Sequence, residues 1–240
     1  MAPSSPLLEA HKLTVGVAGK VFCRDLDFAL AAGERLAILG RNGAGKSTLL
    51  SVLAGLRAPL SGEVRVSGTT YAELGTRKSA LIRGWLPQAR GDAFASTVLE
   101  TVLVGRHPHL ERWGWESAQD AQIVRRALAA VDLAGLEQRD VQTLSGGERK
   151  RVAIATLLAQ APQLYLLDEP IAYLDLKHQI AMLDLFSAAA RERNAAVAMV
   201  LHEPALAWRF CDRVLLVHGD GRCESGPAPE MLSAEMTPLV

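Results

Sequence analysis

Short runs of consecutive apolar residues recur along the chain. Four of them occupy residues 36–39, 164–167, 196–201 and 214–217. Each run has the length of a buried strand, and helix-like stretches lie between them. Continuous rather than alternating apolar strands are typical of a parallel sheet that helices cover on both faces. The pattern therefore predicts an α/β fold with a mostly parallel sheet at its core.

The beginning of the chain has a different pattern. Strand-like segments separated by glycines occupy residues 7–17, 21–30 and 63–66. Short strands that follow one another in this way are typical of an antiparallel sheet. We therefore expect an N-terminal antiparallel β subdomain beside the parallel core.

The middle of the chain, from residue 88 to residue 160, lacks strand patterns. Its helix-like segments occupy residues 97–105, 117–131 and 146–159. This stretch is predicted to be a helical subdomain inserted into the core. The chain is then a single domain over 1–240, in which residues 1–87 and 161–240 form the core and residues 88–160 form the insertion.

Charge, cysteine content and hydropathy restrict the classes of function. Lys plus Arg equals Asp plus Glu, 26 against 26, so no overall positive field attracts nucleic acid or an anionic membrane. Cys23, Cys211 and Cys223 have no CxxC spacing, so they predict neither a disulfide framework nor a zinc site and indicate a reducing compartment. No apolar stretch reaches the roughly 20 residues of a transmembrane helix, and no signal peptide is expected.

A phosphate-binding motif follows the first predicted core strand. Residues 40–47 read Gly-Arg-Asn-Gly-Ala-Gly-Lys-Ser and match the pattern G-x-x-x-x-G-K-[ST]. In such a loop backbone N–H groups surround phosphate, a lysine neutralises charge and a hydroxyl binds Mg²⁺. We expect Lys46 to meet the β- and γ-phosphates and Ser47 to bind Mg²⁺. Further contacts are expected from Gly40, Asn42, Gly43, Ala44, Gly45 and Thr48.

Two adjacent carboxylates end another predicted strand. Asp168 and Glu169 follow the apolar run 164–167 directly, and side chains of neighbouring strand residues diverge. The carboxyl ends of parallel strands converge on one crevice. We interpret Asp168 as a group that orients Mg²⁺ and Glu169 as the general base for an attacking water. Two solvated loop carboxylates are the alternative interpretation.

A second glycine-rich motif, Leu-Ser-Gly-Gly-Glu, occupies residues 144–148. Ser145 and Glu148 satisfy the pattern S-x-x-E, so a helix capping box explains part of it. A cap does not require Gly146 and Gly147, which leave the N–H groups of the helix start open to an anion. The motif therefore indicates a second phosphate-binding element.

The two glycine-rich motifs, in this order, resemble those of the ATP-binding cassette (ABC) ATPases. The resemblance covers nearly the whole chain and implies a P-loop ATPase that uses ATP and Mg²⁺. It also implies that Ser145, Gly146 and Gly147 complete the nucleotide site of a second copy. The expected assembly is a head-to-tail homodimer with two ATP molecules between opposing motifs.

The resemblance assigns roles to three further residues. Gln88 is similar to the family's Q-loop glutamine, which senses the γ-phosphate and Mg²⁺ and hinges the helical subdomain. His202, after a predicted strand, is similar to the switch histidine that contacts the γ-phosphate. Asp175 lies in a segment similar to the D-loop, which crosses the dimer interface.

The sequence departs from the family pattern at several positions. Lys150 stands where glutamine is frequent, and Glu203 replaces aspartate. Residues 171–173 read Ile-Ala-Tyr where serine and alanine are common. We expect these departures to change fine tuning more than activity.

Two local features have no secure role in the sequence. The usual adenine-stacking aromatic is missing, because Val17 falls near its place; Phe22 is nearby without an assignment. Arg149, Lys150 and Arg151 are expected to fan out over a solvated helix surface, because consecutive helical residues lie on different faces.

The leading hypothesis is the ATP-hydrolysing subunit of an ABC transporter. Segments 103–109 and 174–179 resemble those of importers for iron chelates, haem and cobalamin. The resemblance implies import of a siderophore, haem or cobalamin through separate integral membrane permease subunits, with an extracytoplasmic substrate-binding protein. The chain would then lie at the cytoplasmic face of the inner membrane and contact the permease near residues 88–97.

Three alternatives remain at this point. One is an ABC ATPase of another transport class, either importer or exporter. Another is a soluble ABC ATPase that acts on DNA or ribosomes, which neutral charge and short length disfavour. A P-loop kinase for a small molecule would leave residues 144–148 unexplained and would need a phosphate acceptor.

Overall fold

The computed structural model describes residues 6–88, 95–111 and 114–232. The strands in these ranges are β1 (Pro6–Val17), β2 (Lys20–Ala31), β3 (Arg35–Leu39), β4 (Ser61–Val66), β5 (Thr69–Thr70), β6 (Arg83–Leu86), β7 (Leu164–Leu167), β8 (Ala196–Val200), β9 (Arg213–Val217) and β10 (Cys223–Pro227). The α-helices are α1 (Lys46–Leu53), α2 (Tyr71–Ile82), α3 (Val98–Leu103), α4 (Ala118–Ala130), α5 (Gly146–Gln160), α6 (Leu176–Arg193), α7 (Pro204–Phe210) and α8 (Ala228–Met231).

The larger sheet is the mostly parallel core that the apolar runs predict. Its six strands lie in the order β10-β9-β3-β8-β7-β6. The pairs from β9 to β6 are parallel, whereas β10 joins the edge in antiparallel orientation. Strands β3, β8, β7 and β6 therefore end at the same edge, and the loops that follow them lie side by side.

The smaller sheet is the antiparallel subdomain expected at the N-terminus. Its strands lie in the order β2-β1-β4-β5, and each neighbouring pair is antiparallel. Its bounds agree with the strand-like segments of the sequence to within a few residues.

The hydrophobic core has two parts, one on each face of the larger sheet. Along β3, Leu36 and Ile38 belong to the part that includes the antiparallel sheet and α1. Ala37 and Leu39 belong to the other part, which includes α3, α4, α5 and α6. Both faces of the strand are buried, and this explains why its apolar residues are continuous rather than alternating.

The described part of the segment between β6 and β7 contains helices and loops, with an isolated β-bridge between Thr97 and Asp140, and its helices follow the sequence prediction. Helices α3, α4 and α5 each begin with a capping box, in which a hydroxyl and the acidic residue three positions later bond to each other's backbone N–H. A 3-10 helix, Val104–His109, continues from α3. The permease contact expected near residues 88–97 lies partly outside the described residues, which resume at residue 95.

Helix α2 is not predicted by the hydrophobic pattern. Gly75 lies inside it with φ 72° and ψ 169°, which is not a helical conformation. This break interrupts the periodicity on which a sequence prediction depends. None of the helices among the described residues is long and apolar enough to cross a bilayer.

The cysteines correct one expectation. Cys23 of β2 and Cys223 of β10 form a disulfide, with their Cα atoms 5.8 Å apart, and Cys211 is a buried free thiol. The expectation that no cysteines pair is therefore wrong. The partners are 200 residues apart in sequence, and only the folded chain brings the N-terminal sheet against the edge of the core sheet.

Candidate functional site

The loop between β3 and α1 has a backbone that only glycine adopts easily. Gly40, Gly43 and Gly45 have φ values of 145°, 77° and 96°. A Cβ at Gly40 would collide with the carbonyl oxygen of Val217, and one at Gly45 would collide with the ring of Phe22. At Gly43 no heavy atom of the described residues lies within 4 Å of that position, so the loop opens there.

Lys46 begins α1, and its side chain folds back over this loop. Its Nζ donates to the carbonyl oxygens of Gly40 at 2.6 Å and Arg41 at 3.1 Å. Burial lowers the pKa of Lys46, and the negative charges of Glu169 and Asp168 oppose that shift. The ammonium group is held at the loop by two carbonyl oxygens, which an anionic acceptor could displace.

Ser47 and Asp168 come together from opposite parts of the chain. The hydroxyl of Ser47, in the first turn of α1, donates to Oδ1 of Asp168 at 2.9 Å. Asp168 follows β7 and is 4% exposed. Burial raises the pKa of this carboxyl group, although the hydrogen bond from Ser47 lowers it in part. The two residues to which the sequence assigns Mg²⁺ are thus in direct contact.

Glu169 is the centre of a second cluster at the same sheet edge. Its Oε1 lies 2.8 Å from Nε2 of His202, which follows β8. Burial would raise the pKa of Glu169, but hydrogen bonds with His202 and Gln88 and the positive charge of Lys46 outweigh it and lower the pKa. The carboxylate is therefore held in its ionised form, the form in which it can accept a proton.

A cavity of about 630 Å³ unites most of these groups. The described residues that line it are Phe22, Asn42, Gly43, Gly45, Lys46, Ser47, Thr48, Gln88, Glu169 and His202. Of the other predicted site residues, Gly40 and Ala44 shape the loop, and Asp168 contacts Ser47. The residues Ser145, Gly146, Gly147 and Asp175 do not line this cavity.

The second glycine-rich motif forms the start of α5, away from the cavity. Oγ of Ser145 accepts from the N–H of Glu148 at 3.2 Å, and Oε2 of Glu148 accepts from the N–H of Ser145 at 2.8 Å. The predicted capping box is thus confirmed. Ser145 and Gly146 are exposed, and no heavy atom of the described residues lies near the position of a Cβ on Gly146.

Comparison with known proteins identifies the family. The ABC transporter family profile matches residues 23–172, which include the phosphate loop, the capped glycine motif and the carboxylate pair. The chain belongs to the ABC transporter family. Its members include ATP-binding subunits, and this chain is one of them: it binds ATP and is an ATPase.

Individual relatives cover nearly the whole chain. Hemin import ATP-binding protein HmuV of Burkholderia thailandensis is 41% identical, over 92% of this chain and 88% of its own. Cobalamin import ATP-binding protein BtuD of Halobacterium salinarum is 39% identical over 92% of this chain, which spans 55% of that protein. A solved metal-chelate type ABC transporter in an inward-facing conformation has a TM-score of 0.83 and 31% identity, over 98% of this chain and 88% of that one. The predicted fold class is confirmed.

Phe22 lines the cavity of this ABC ATPase, and the sequence left it unassigned. Its ring lies against Gly45 and lines the cavity, and Nζ of Lys20 lies 5.2 Å from the ring centre. It belongs to β2, in the antiparallel sheet. The number of residues that usually separates the adenine-stacking aromatic from the phosphate loop leads to Val17 instead. The strand pairing that brings Phe22 to the loop cannot be read from the neighbouring sequence.

The basic run after the second motif corrects another expectation. Lys150 is 7% exposed, and its Nζ donates to the carbonyl oxygen of Gln88 at 3.4 Å. Burial lowers the pKa of Lys150 to about 8, although Asp168 and Glu169 raise it in part. The Arg151 side chain is 13% exposed. The prediction of a fully solvated surface is therefore wrong for these two residues. One side of α5 packs against the core, and another side packs against α4.

Proposed function

We propose that this chain is the ATP-hydrolysing subunit that energises import of a metal chelate through a separate membrane permease. One observation carries the enzymatic part of the proposal. The Ser47–Asp168 contact and the Glu169–His202 contact lie at one sheet edge, beside an open phosphate loop. This arrangement places a cation, a hydroxyl and a proton acceptor around a single cavity.

The phosphate loop fits a triphosphate. Backbone N–H groups from Asn42 to Thr48 and the start of α1 supply donors and a favourable dipole for anions. Lys46 supplies the positive charge, and its present acceptors are carbonyl groups that phosphate oxygens can replace. Gly40 and Ala44 keep the loop in shape, because Gly40 has no room for a side chain and Ala44 is buried.

The donor set also fits Mg²⁺, which prefers hard oxygen ligands. The hydroxyl of Ser47, the carboxylate of Asp168 and the amide oxygen of Gln88 are the groups that would hold it. When bound, Mg²⁺ neutralises phosphate charge and orients the terminal phosphate. Asp168 is held for this role by its hydrogen bond with Ser47 and by burial.

Hydrolysis needs one proton acceptor and accurate positioning. Water attacks the γ-phosphorus, the bond to the bridging oxygen of ADP breaks, and the proton of the water passes to Glu169. This step contributes about 10²- to 10⁴-fold to the rate. We assign His202 to the γ-phosphate and to the orientation of Glu169, which it contacts at 2.8 Å. Gln88, whose side chain hydrogen-bonds with Glu169, joins the site to the helical subdomain.

The adenine base needs an apolar platform beyond the phosphates. Phe22 is the aromatic side chain among the described lining residues of the cavity. We assign it to adenine stacking, the role for which Val17 was considered in the sequence.

The second glycine motif and Asp175 belong to the site of a partner copy. Ser145, Gly146 and Gly147 do not reach the cavity of their own chain, although Ser145 and Gly146 are exposed and open to an anion. A head-to-tail homodimer explains both facts, because each copy then completes the ATP site of the other.

The organisation of the chain follows from this division of tasks. We assign residues 1–87 and 161–240 to the nucleotide-binding core and residues 88–160 to a helical subdomain that contacts the permease. Attachment is then peripheral, at the cytoplasmic face of the inner membrane. An extracytoplasmic substrate-binding protein completes the system.

The relatives favour a metal chelate as the transported substrate. HmuV is named for hemin import, BtuD for cobalamin import, and the solved transporter for metal chelates. We therefore propose haem, a siderophore or cobalamin as the substrate. Reconstitution with the permease in vesicles, followed by uptake of each of the three with and without ATP, identifies which one is carried.

The Glu169→Gln variant tests the ATPase mechanism. The glutamine has the size of the glutamate side chain and can still form hydrogen bonds, but it cannot accept the proton. We therefore expect ATP binding to be retained and hydrolysis to be reduced at least 100-fold. Light scattering should then detect an ATP-dependent dimer. Lys46→Ala is the control that loses nucleotide binding and forms no dimer. Turnover of Glu169→Gln at the parent rate would remove Glu169 from the role of base.

A further inference from the structure

His178 occupies a position to which the proposed mechanism gives no task. It lies in the first turn of α6, three residues after Asp175. Its backbone N–H donates to Oδ1 of Asp175 at 2.9 Å and thereby caps the helix. Its ring Nδ1 lies 2.9 Å from each oxygen of the same carboxylate. The orientation of the imidazole is therefore fixed by the cap of its own helix.

The other ring nitrogen faces the helical subdomain. Nε2 of His178 lies 3.6 Å from Oδ2 of Asp132, in the turn after α4. This distance suits an ion pair but exceeds that of a hydrogen bond. Nε2 is buried and has no hydrogen-bond partner among the described residues. Because buried polar atoms are nearly always hydrogen-bonded, this atom indicates a second arrangement in which Asp132 comes closer and accepts from Nε2–H. Since both neighbours of the ring are carboxylates, which only accept, that arrangement holds the imidazole with a proton on each nitrogen.

Arg151 anchors the turn that carries Asp132. Its Nη1 donates to the carbonyl oxygens of Val131 at 2.9 Å and Asp132 at 2.7 Å, and it lies 3.7 Å from the Asp132 carboxylate. Arg151 belongs to α5, the helix that begins at Gly146. The carboxylate that faces His178 is thus tied through its main chain to the helix of the second glycine motif.

We infer that His178 is a positioning residue that links the Asp175 segment of the core to the glycine-motif helix α5. The path runs from Asp175 through the imidazole to Asp132, and from there through Arg151 to α5. Both ends are groups that the proposed function gives to the partner's nucleotide, so the inference rests on that function. Closure of the His178–Asp132 contact sets the spacing of these two groups when ATP joins two copies.

ATP-driven dimerisation measures this link directly. In the Glu169→Gln background, which traps the ATP-bound dimer, we expect His178→Leu and Asp132→Ala each to raise the dimer dissociation constant about tenfold, the effect of one lost charge-assisted hydrogen bond. The double variant should raise the dissociation constant no further than His178→Leu alone, because that variant has already lost the contact with Asp132. Substitution of Asp132 should leave the fold intact, since its side chain is 79% exposed.

Two further readouts separate positioning from general damage. ATP affinity measured at protein concentrations too low for dimers should stay at the parent value. In chains that retain Glu169, hydrolysis should need about tenfold more protein to reach half of its maximal rate, with the same maximum. Asp184→Ala, a change of an exposed aspartate on the same helix α6, is the matched control and should alter none of these values.

The outcomes distinguish this inference from the proposed function. If the Glu169→Gln parent forms no dimer with ATP, the proposed function fails and the inference falls with it. If the parent dimerises and both single variants keep its dissociation constant, the inference alone is overturned. It is also overturned if His178→Leu lowers the melting temperature and monomer ATP affinity while Asp132→Ala has no effect on the dimer.

Discussion

At the scale of single residues, Phe22 connects the antiparallel sheet with the phosphate loop. Its ring occupies the space that a side chain at Gly45 would need. The same ring lines the cavity beside Lys46 and Ser47. Phe22 can therefore act in two ways, by supporting the loop or by stacking on the base, and the two roles have different consequences for ligands.

Phe22→Ala separates these roles. Base stacking on an aromatic side chain is worth about 1–3 kcal/mol, so we expect the variant to bind ATP about tenfold more weakly. Inorganic tripolyphosphate has no base, and its affinity should not change. Phe22→Tyr keeps the ring and is the matched control. Equal losses for ATP and tripolyphosphate would show that Phe22 supports the loop and does not bind the base.

The sequence locates single residues well where a motif carries its own chemistry. Lys46, Ser47, Asp168 and Glu169 were predicted to converge, and the structure brings them to one sheet edge. The sequence leaves Phe22 unassigned and wrongly predicts a solvated surface for Lys150, which is buried. Their surroundings depend on strand pairing and on helix packing, which cannot be predicted from the hydrophobic pattern of the neighbouring residues.

At the scale of elements, one ion pair connects the 3-10 helix after α3 with α4. Nε of Arg106, in the 3-10 helix after α3, lies 2.8 Å from Oδ1 of Asp120 in α4. Arg106 also donates to the carbonyl oxygen of Ala159 near the end of α5. The hydrogen bond from Ser117 and the pairing with Arg106 hold the pKa of Asp120 well below its usual range.

Asp120→Asn tests this pair through stability. Both side chains are little exposed, so removal of the charge should lower the free energy of unfolding by about 3 kcal/mol at pH 7 in denaturant titrations. Because the folded-state pKa is depressed, this contribution is present above the unfolded-state pKa of 3.8 and is lost as pH falls towards the folded-state value. The difference between parent and variant should therefore shrink below pH 4.

The Arg65–Glu63 pair provides the control for this experiment. Its distance is similar, 2.7 Å, but both side chains are more than 40% exposed. Glu63→Gln should leave the unfolding transition where it is, because exposed ion pairs contribute little. A loss of stability for Glu63→Gln as large as that for Asp120→Asn would contradict the role of burial.

Elements were predictable where periodicity is unbroken. Strands β3, β7, β8 and β9 and helices α4 and α5 lie within a few residues of their predicted bounds, because apolar runs and capping boxes mark them. The core strand β6 was not among the predicted runs. Helix α2 escaped prediction because Gly75 breaks it. Strand β10 escaped because Cys223–Pro227 is short and only partly buried.

At the scale of the whole molecule, the disulfide joins the two sheets. Cys23 lies beside Phe22 in β2, and Cys223 lies in the edge strand of the core. The closed loop is long, so in the chain-entropy account the bond stabilises mainly by restricting the unfolded chain. The sequence could not reveal it, since an odd number of widely spaced cysteines has no framework pattern.

Thiol labelling tests the bond. In protein purified and denatured without reductant, we expect one alkylated cysteine, Cys211, by mass spectrometry, and three after reduction. Reduction should lower the free energy of unfolding by about 2–5 kcal/mol. Cys23→Ser should show the lower stability without reductant, whereas Cys211→Ser should keep the response to reductant. Three alkylated cysteines in the unreduced sample would refute the pairing.

The same bond governs how the chain yields to mechanical force. A pull on the two termini is carried directly from Cys23 to Cys223, so residues 24–222, which lie between them, bear no load. Those residues would extend to about 700 Å if released, at roughly 3.3–3.6 Å each. In an optical trap, an oxidised molecule should therefore lengthen only by the residues outside the bridge, which include β1. The contour length of the residues inside the bridge should be released when a thiol reductant is added.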